Sequence, residues 1–367
     1  MKYQELERCL SNLYGYSHAV LVGRARSGLF ALGEVLGLAG MDAVIPSNLC
    51  PVVPAAFSNA GLSVRLAQVS AKNGLAEDNS LIDSMSSSTK PGLVMPTHIY
   101  GHWRSYSETQ KWAKKNGWFI LENDTLCAAR KRMGRRLAFG DALLVSFGHA
   151  KSINAGGGGA LLTDDFELAN NLRRLIAKWP EINKLTNEKE ENLIKVRRYL
   201  RRLGRSDLGE KLLEVDQSLM CYSFSPSLLS KVMSEIEQLE SNMAMRAEVS
   251  ECWNQILKPI EHVVCPVLTE VTAPWRMIRT VKEPLLRDLI VKTMRAEGFD
   301  VGTNFPSLTE NYPVMLGSQS GFEANIWSAI TINFWLEETY TPSRIQSAVT
   351  CIKKIIDTND VGALHNA

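Results

Sequence analysis

Short apolar runs alternate with helical patterns along the first half of the chain. Buried β-strands are predicted for the apolar runs 18–23, 43–45, 62–67, 92–95, 118–121, 141–147 and 159–162. Between them, apolar residues recur at helical spacing in 29–38, 52–59, 105–116 and 166–178. Strands that alternate with helices are typical of a mostly parallel sheet covered on both faces. The pattern therefore predicts an α/β domain.

The pattern changes after residue 180. A charged stretch at 180–210 predicts a solvated helix, because its lysines and arginines are interleaved with glutamates. A long helix is predicted for 227–257, and the strands and helices that follow indicate a small α+β domain with a short antiparallel sheet. We therefore divide the chain into a large α/β domain, residues 1–226, and a second unit, residues 227–367, that contains the linking helix and the small domain.

Composition and charge argue against several classes of partner. The 41 basic and 39 acidic residues give a net charge of only +2, so no nucleic-acid partner is predicted. The chain has neither a signal-peptide pattern nor an apolar run of about eighteen residues, so we expect a cytoplasmic protein without a membrane span. Its seven cysteines and six histidines are dispersed, which predicts neither a disulfide framework nor a metal site.

Lys151 occupies an unusual place for a lysine. It stands between the predicted buried strand 141–147 and the glycine run 156–159. An amine delivered from the end of a buried strand loses hydration, which lowers its pKa and frees its lone pair for carbonyl chemistry. Lysine is mostly a solvated surface residue, so the functional interpretation depends on what else lies nearby.

Other candidate residues follow the predicted strands at the edge where ligands bind in parallel sheets. They are Ser27, Asn48, Tyr100 and Asp124. The Ser27-Gly28 turn leads into a helix, whose N-terminal N–H groups are a natural phosphate site, although a simple helix cap by Ser27 is an alternative. A lysine, a phosphate site and a carboxylate together predict a pyridoxal phosphate site, in which Asp124 keeps the pyridine nitrogen protonated.

Several short motifs in fixed order carry a resemblance to a known family. They are Ser27-Gly28, 44–48, 98–101, 123–128, 140–141, 146–151, 158–159 and 163–164. With these motifs the chain resembles the DegT/DnrJ/StrS aminotransferases, fold-type I pyridoxal phosphate enzymes that mostly aminate keto-sugars linked to nucleotides. The resemblance covers about residues 22 to 165 well and continues more faintly to 356. It implies a seven-stranded, mostly parallel sheet between helices and a homodimer.

The resemblance also implies roles for individual residues. Lys151 corresponds to the lysine that holds the cofactor as an internal aldimine and moves the proton during a two-stage amino transfer. Asp124 corresponds to the partner of the pyridine nitrogen, and Ser146 with the Ser27-Gly28-Leu29 turn corresponds to the phosphate site. The implied substrates are an amino donor, usually glutamate, and a keto-sugar.

The chain departs from the family pattern at several positions around the expected cofactor. Leu29 replaces a threonine of the phosphate site, Cys50 stands where an aromatic residue usually packs on the ring, and Cys127 replaces a glutamine or histidine. The Asn-x-Arg motif that a neighbouring subunit usually contributes is absent from 220–223. Tyr100 is an alternative source of ring stacking. These departures from the family pattern bear more on which substrate the chain accepts than on whether it binds the cofactor.

Alternative functions follow from the same residues. Tyr100, His149 and Asn154 are the candidates for substrate contacts. Some relatives are dehydratases with histidine at the lysine position, so a sugar dehydratase or eliminase is the first alternative, against which Lys151 argues. A catalytically degenerate binding or regulatory member is the second. A dinucleotide-binding domain built on 156–159 is disfavoured, because those glycines lead into a strand rather than a helix.

Overall fold

A computed structural model describes residues 3–128, 136–203, 219–266, 274–311 and 321–358, with single residues between these ranges. Its larger sheet consists of strands β1 (His18–Val22), β2 (Asp42–Pro46), β3 (Ser63–Ala67), β4 (Leu93–Val94), β5 (Phe119–Asn123), β6 (Ala142–Ser146) and β7 (Gly159–Thr163). The seven strands lie in the order β1-β7-β6-β5-β4-β2-β3. Neighbours from β6 to β3 are parallel, whereas β7 is antiparallel to both β1 and β6. All strands except β7 therefore end at the same edge.

The segment that carries Lys151, residues 147–158, is called the lysine loop below. It connects β6 directly back to β7 without a crossover helix, which is possible because the two strands are antiparallel neighbours. Gly156 and Gly158 turn the chain with φ values of 83° and 87°, in the left-handed region that favours glycine. The glycine run therefore forms the return from Lys151 into β7, in agreement with the prediction that these glycines lead into a strand.

Helices cover both faces of this sheet. They are α1 (Tyr3–Tyr14), α2 (Ala25–Val35), α3 (Val52–Asn59), α4 (Asp78–Ser86), α5 (Ser107–Lys115), α6 (Phe166–Ile176) and α7 (Lys184–Arg202). Apolar residues of α2, α3 and α6 form the core on one face, and those of α4 and α5 pack on the other. Sequence patterning missed α4, because only Leu81 and Met85 of that helix are buried. The solvated helix predicted within 180–210 corresponds to α7.

The second half of the chain adds a smaller sheet. Its strands are β8 (Val263–Val264), β9 (Met277–Val281), β10 (Val301–Gly302) and β11 (Thr331–Phe334), in the antiparallel order β10-β11-β9-β8. Its helices are α8 (Leu229–Glu237), α9 (Leu239–Leu257), α10 (Pro284–Ala296), α11 (Leu308–Asn311), α12 (Phe322–Ile330) and α13 (Pro342–Thr358). The short antiparallel sheet matches the prediction from the sequence.

One helix of this half differs from its prediction. The continuous helix expected for 227–257 is divided into α8 and α9, which meet at Gln238. Trp275 and Trp327, from the second half, are buried in the same apolar cluster as residues of α2 and α3. The two halves therefore share a core, and the domain boundary at residues 226 and 227 stays a prediction. Among the described helices, none combines the length and apolarity needed to cross a membrane.

Candidate active site

A cavity of about 170 Å³ lies at the edge of the larger sheet where the parallel strands end. Each of β1, β2, β4, β5 and β6 contributes lining residues at or just after its end. These are Arg24–Arg26, Leu49–Cys50, Thr97, Asn123 and Ser146. Lys151 and Phe305 complete the wall. This is the place where ligands bind in open parallel sheets. Strand ends do meet beside Lys151, but the other residues predicted to converge there, Ser27, Asn48, Tyr100 and Asp124, are not among the residues that line the cavity.

The Lys151 amine faces the cavity from a loop whose backbone is held in place. The Lys151 N–H donates to Gly148 O (3.3 Å), and its carbonyl accepts from Arg246 Nη2 (3.3 Å). The preceding carbonyl, of Ala150, accepts from Trp275 Nε1 (2.5 Å). Burial lowers the pKa of the Lys151 amine, and the Arg276 charge lowers it further, although Cys50 opposes the shift. A larger fraction of this amine is therefore neutral and nucleophilic than in an exposed lysine.

The start of α2 lies earlier than the sequence pattern predicted. The helix begins at Ala25, so Ser27 lies within its first turn and donates its N–H to Arg24 O (2.9 Å). Ser27 is fully buried, and Gly28 packs against Leu144, whose methyl carbon lies 3.2 Å from where a Gly28 side chain would begin. Of the predicted Ser27-Gly28-Leu29 turn, only Leu29 lines the cavity. The helix N-terminus that faces the cavity therefore belongs to Ala25 and Arg26.

Two arginines at this N-terminus supply positive charge that sequence reasoning missed. Arg24 Nε lies 3.4 Å from Glu190 of α7, and Arg26 pairs with the same carboxylate. Burial lowers the pKa of Arg26, and Glu190 opposes that shift. Arginines beside helix N–H groups form a natural oxyanion site. The signal in the sequence is the pair of arginines at 24 and 26, directly after the predicted buried strand 18–23.

The end of β5 places Asn123 and Thr125 in the cavity wall. Asp124, between them, is 3 % exposed and donates its N–H to Leu144 O (3.0 Å), and it is not among the lining residues. Asn123 Nδ2 donates to Thr97 Oγ1 (3.5 Å). The role of Asp124 stays a prediction, and the geometry makes Asn123 a second candidate for the same position.

The remaining predicted cofactor residues divide in the same way. Cys50 and Ser146 line the cavity, and Ser146 Oγ accepts from the Gly148 N–H (3.3 Å). Cys127 is fully buried, and its thiol contacts Gly101 O (3.5 Å). The structure thus brings Cys50, Ser146 and Lys151 to one cavity, whereas Cys127 is not among the residues that line it.

The three predicted substrate residues do not converge on the cavity. Tyr100 is fully buried, and its hydroxyl accepts from Trp327 Nε1 (2.8 Å) and from the Phe305 N–H (3.3 Å). His149 packs against Gly156, and Asn154 lines a different cavity. Tyr100 is connected to the cavity indirectly, because it accepts a hydrogen bond from the Phe305 N–H and Phe305 lines the cavity.

Comparisons with known proteins agree with this architecture. Spore coat polysaccharide biosynthesis protein SpsC of Bacillus subtilis is 29 % identical over 181 residues, covering 47 % of this chain but only 45 % of SpsC. A dTDP-3-amino-3,4,6-trideoxy-alpha-D-glucose transaminase of Micromonospora megalomicea subsp. nigra is 23 % identical over 87 % of this chain and 77 % of its own length.

A solved structure extends the likeness to nearly the whole fold. DesI, crystallised in the presence of its TDP-sugar product, superposes with a TM-score of 0.78 at 18 % identity, covering 99 % of this chain and 87 % of DesI. The family model of the DegT/DnrJ/EryC1/StrS aminotransferases matches residues 1–337. The chain therefore belongs to the DegT/DnrJ/EryC1/StrS aminotransferase family.

Proposed function

We propose that this chain is a pyridoxal phosphate-dependent aminotransferase that moves an amino group from an amino acid, glutamate being the first choice, to a keto-sugar. The observation that carries the proposal is the desolvated Lys151 amine in a cavity that is also lined by a helix N-terminus with two arginines. An amine and an oxyanion site in one cavity match the two ends of a phosphorylated aldehyde. Family membership supports the reaction type, and the sugar-related names of the relatives support the acceptor class.

The residues present fit this cofactor at its phosphate and aldehyde ends. The N–H groups at the start of α2 and the guanidiniums of Arg24 and Arg26 would hold the phosphate. The Lys151 amine would bind the aldehyde, and Asp124 or Asn123 would contact the ring nitrogen. The bound cofactor would supply the electron sink that weakens bonds at the substrate's α-carbon.

The chain's own residues would then do the rest of the work. When the Lys151 amine is not bonded to the aldehyde, its Nζ would be free to take a proton from the substrate's α-carbon. The lowered pKa leaves more of this amine neutral, and so able to accept that proton, than in an exposed lysine. Leu29, Leu49 and Leu126 line the cavity and would exclude water from the reacting atoms. Arg246 and Trp275 hold the backbone on either side of the lysine, so the amine keeps its position between steps.

The first experiment tests for the lysine-bound cofactor. Wild-type protein saturated with pyridoxal phosphate should show a visible absorption band that Lys151→Ala abolishes. Lys111→Ala is the matched control, because that lysine is exposed and pairs only with Glu108 among the described residues. A saturated wild type without the band would exclude the proposal and would favour the degenerate binding member.

The second experiment separates the possible reactions. A transaminase incubated with glutamate should lose the band and release 2-oxoglutarate, whereas a dehydratase or eliminase would release none. Mass spectrometry with a panel of keto-sugars, free and nucleotide-linked, would then identify the acceptor.

A third experiment compares how tightly Asp124→Ala and Asn123→Ala bind pyridoxal phosphate. The variant that lacks the residue in contact with the ring nitrogen should bind the cofactor much more weakly than the other. The homodimer stays a prediction, which sedimentation of the full chain tests.

A further inference from the structure

A stack of four side chains leads from the smaller sheet to the candidate active site. Its members, in order, are Trp335, Arg276, Trp275 and Phe305, and they are called the arginine stack below. The guanidinium carbon of Arg276 lies 3.3 Å from the ring centroid of Trp335 and 4.3 Å from that of Trp275. The Trp275 ring stacks on the Phe305 ring, with centroids 5.5 Å apart and planes inclined by 19°. Because Phe305 lines the active-site cavity, the stack ends at the site.

Trp275 is the member of the arginine stack that contacts the lysine loop. Its Nε1 donates to the carbonyl of Ala150, the residue directly before Lys151 (2.5 Å). Its backbone N–H donates to Tyr100 O (3.3 Å), and the Tyr100 hydroxyl accepts from the Phe305 N–H (3.3 Å). Trp275 therefore connects two parts of the cavity wall that are far apart in sequence, and the position of its ring bears on both.

The Arg276 side chain is buried and closely surrounded. It is 8 % exposed, and a side chain at Gly302 of β10 would begin only 3.2 Å from its Nη1 and 3.3 Å from Trp335. That Nη1 has no hydrogen-bond partner among the described residues. Burial lowers the pKa of Arg276 to about 10, although the Glu337 carboxylate opposes the shift. The guanidinium thus stays charged near neutral pH and is fixed by packing on the two rings.

A buried cation is a costly way to fill the space between two indole rings. Removing a guanidinium from water costs free energy that an uncharged side chain such as methionine would not cost. The charge has an effect at the site, however. Burial lowers the pKa of the Lys151 amine, Cys50 opposes that shift, and Arg276 increases it. A second cation near a lysine is one of the ways in which proteins keep a reactive amine neutral.

The other charged groups around Lys151 and Arg276 differ from Arg276 in their pairing or their position. Arg24 and Arg26 line the cavity, but both pair with Glu190, whereas Arg276 forms no ion pair within 4 Å among the described residues. The charges that act on Arg276 itself are those of Glu337, Arg246 and Asp300. Arg246 donates to the Lys151 carbonyl and so contacts the backbone of the lysine loop.

We propose that Arg276 is a positioning residue for Lys151. Held between Trp335 and Trp275, it keeps the Trp275 ring against the lysine loop and Phe305, and it maintains a positive charge near the reacting amine. A guanidinium suits this place because it is planar, remains charged and stacks on aromatic rings. The inference rests on the proposed function, since the amine that Arg276 positions is the one that would bind the cofactor aldehyde.

The first test titrates Lys151 in the absence of cofactor. Full-length protein, freed of any cofactor with hydroxylamine, is labelled with acetic anhydride over a range of pH, and mass spectrometry measures the rate of acetylation of Lys151. Only the neutral amine reacts, so the rate should rise with pH and then level off. In Arg276→Ala it should level off at a higher pH, because the guanidinium no longer lowers the pKa of Lys151.

Chemical rescue separates the charge of Arg276 from its shape. Guanidinium ion added to Arg276→Ala should fill the gap between the indole rings and restore the wild-type labelling profile. Urea, which is also planar but carries no charge, should leave the profile of the variant unchanged. Arg344→Ala is the matched control, because its guanidinium also lies over an aromatic ring, that of Tyr340, outside the arginine stack. It should label as the wild type does.

The second test measures the position of the amine. Pyridoxal phosphate is added to each protein at the pH where its own labelling rate has levelled off, so that Lys151 is neutral in both. Arg276→Ala should form the visible cofactor band about tenfold more slowly than the wild type, because a misplaced amine reacts more slowly. Guanidinium and urea should each recover part of this rate, since both refill the arginine stack.

The labelling profile decides the assignment. A wild-type profile in Arg276→Ala, or equal restoration by guanidinium and urea, would overturn it. If Arg276→Ala does not fold, Arg276→Met fills the gap with an uncharged side chain and should show the same shift to higher pH. A saturated wild type without the visible band would remove the proposed function, whereas the labelling test needs no cofactor and would still decide the effect of Arg276 on Lys151.

Discussion

Replacing Tyr100 by Phe should destabilise the chain more than the loss of one hydroxyl usually does. The Tyr100 hydroxyl accepts hydrogen bonds from two donors that lie far away in sequence, Trp327 Nε1 at 2.8 Å and the Phe305 N–H at 3.3 Å. Both come from the second half of the chain, and Tyr100 is fully buried. Phenylalanine fills the same space but leaves both donors without an acceptor.

The expected magnitude follows from these two contacts. A buried donor that loses its acceptor costs about 1–3 kcal/mol, and the shorter Trp327 contact should contribute most of the loss, which we take as about 3 kcal/mol in total. For a chain of 367 residues, each kcal/mol lowers Tm by about 1.3 °C. Tyr100→Phe should therefore lower Tm by about 4 °C.

Tyr106→Phe is the matched control. Tyr106 is equally buried, but its hydroxyl donates to Thr97 O (3.1 Å), so its removal leaves no unpaired donor. We expect a loss of about 1 kcal/mol, or about 1 °C. Thermal unfolding followed by circular dichroism measures both variants. Equal shifts for the two would refute the argument that the Tyr100 hydroxyl works as an acceptor. Tyr100→Phe should also weaken cofactor binding, because Phe305 lines the active-site cavity.

Three further predictions concern the same site. Gly158→Ala should lower the free energy of unfolding by about 2–5 kcal/mol, because φ is +87° and a Phe224 carbon lies 2.6 Å from where the new methyl group would be. Gly37→Ala is the control: its φ is +64° with no atom within 4 Å, so the free energy of unfolding should fall by only about 1 kcal/mol in the same assay. Glu190→Gln should tighten phosphate binding about fivefold in calorimetry, since the carboxylate no longer competes for the arginines; weaker binding would contradict that competition. Because the pKa of Lys151 is lowered from its ordinary value of 10.5, the neutral amine should dominate at a lower pH than in an exposed lysine. The rate at which the visible cofactor band forms after pyridoxal phosphate is added should therefore rise with pH and level off below pH 10.5. A rate that levels off only above that pH would disprove the shift.

Several features of the site could be predicted from local sequence alone. The alternation of apolar runs and helical patterns indicates which strand ends meet, and Lys151, Cys50 and Ser146 lie at those ends in the structure. The position of Lys151 follows from its immediate neighbours, a buried strand before it and the glycine turn after it. Such features depend on periodicity over a few residues, so they can be seen without knowing the fold.

The start of α2 illustrates where local reasoning fails. A Ser-Gly turn before an apolar helix is a common capping pattern, and by itself it places the helix N-terminus at Ser27. In the structure the backbone of Arg24 forms an isolated β-bridge with the backbone of Gly158, and the Gly158 N–H donates to Gly23 O (3.1 Å). This contact between distant segments lets the helix begin at Ala25 and brings two arginines to the cavity.

The sequence by itself determined the α/β class, the family resemblance and the placement of the lysine, because each depends on short-range patterns of polarity and turn residues. Only the tertiary structure decided which polar side chains share a cavity with that lysine. Arg24 and Arg26 line that cavity while they pair with Glu190, which lies more than 160 residues later in the chain, and Tyr100 became a buried link to the second half instead of a substrate residue. The physical reason is that burial, ion pairing and cavity shape arise from packing between distant segments, which no local pattern encodes.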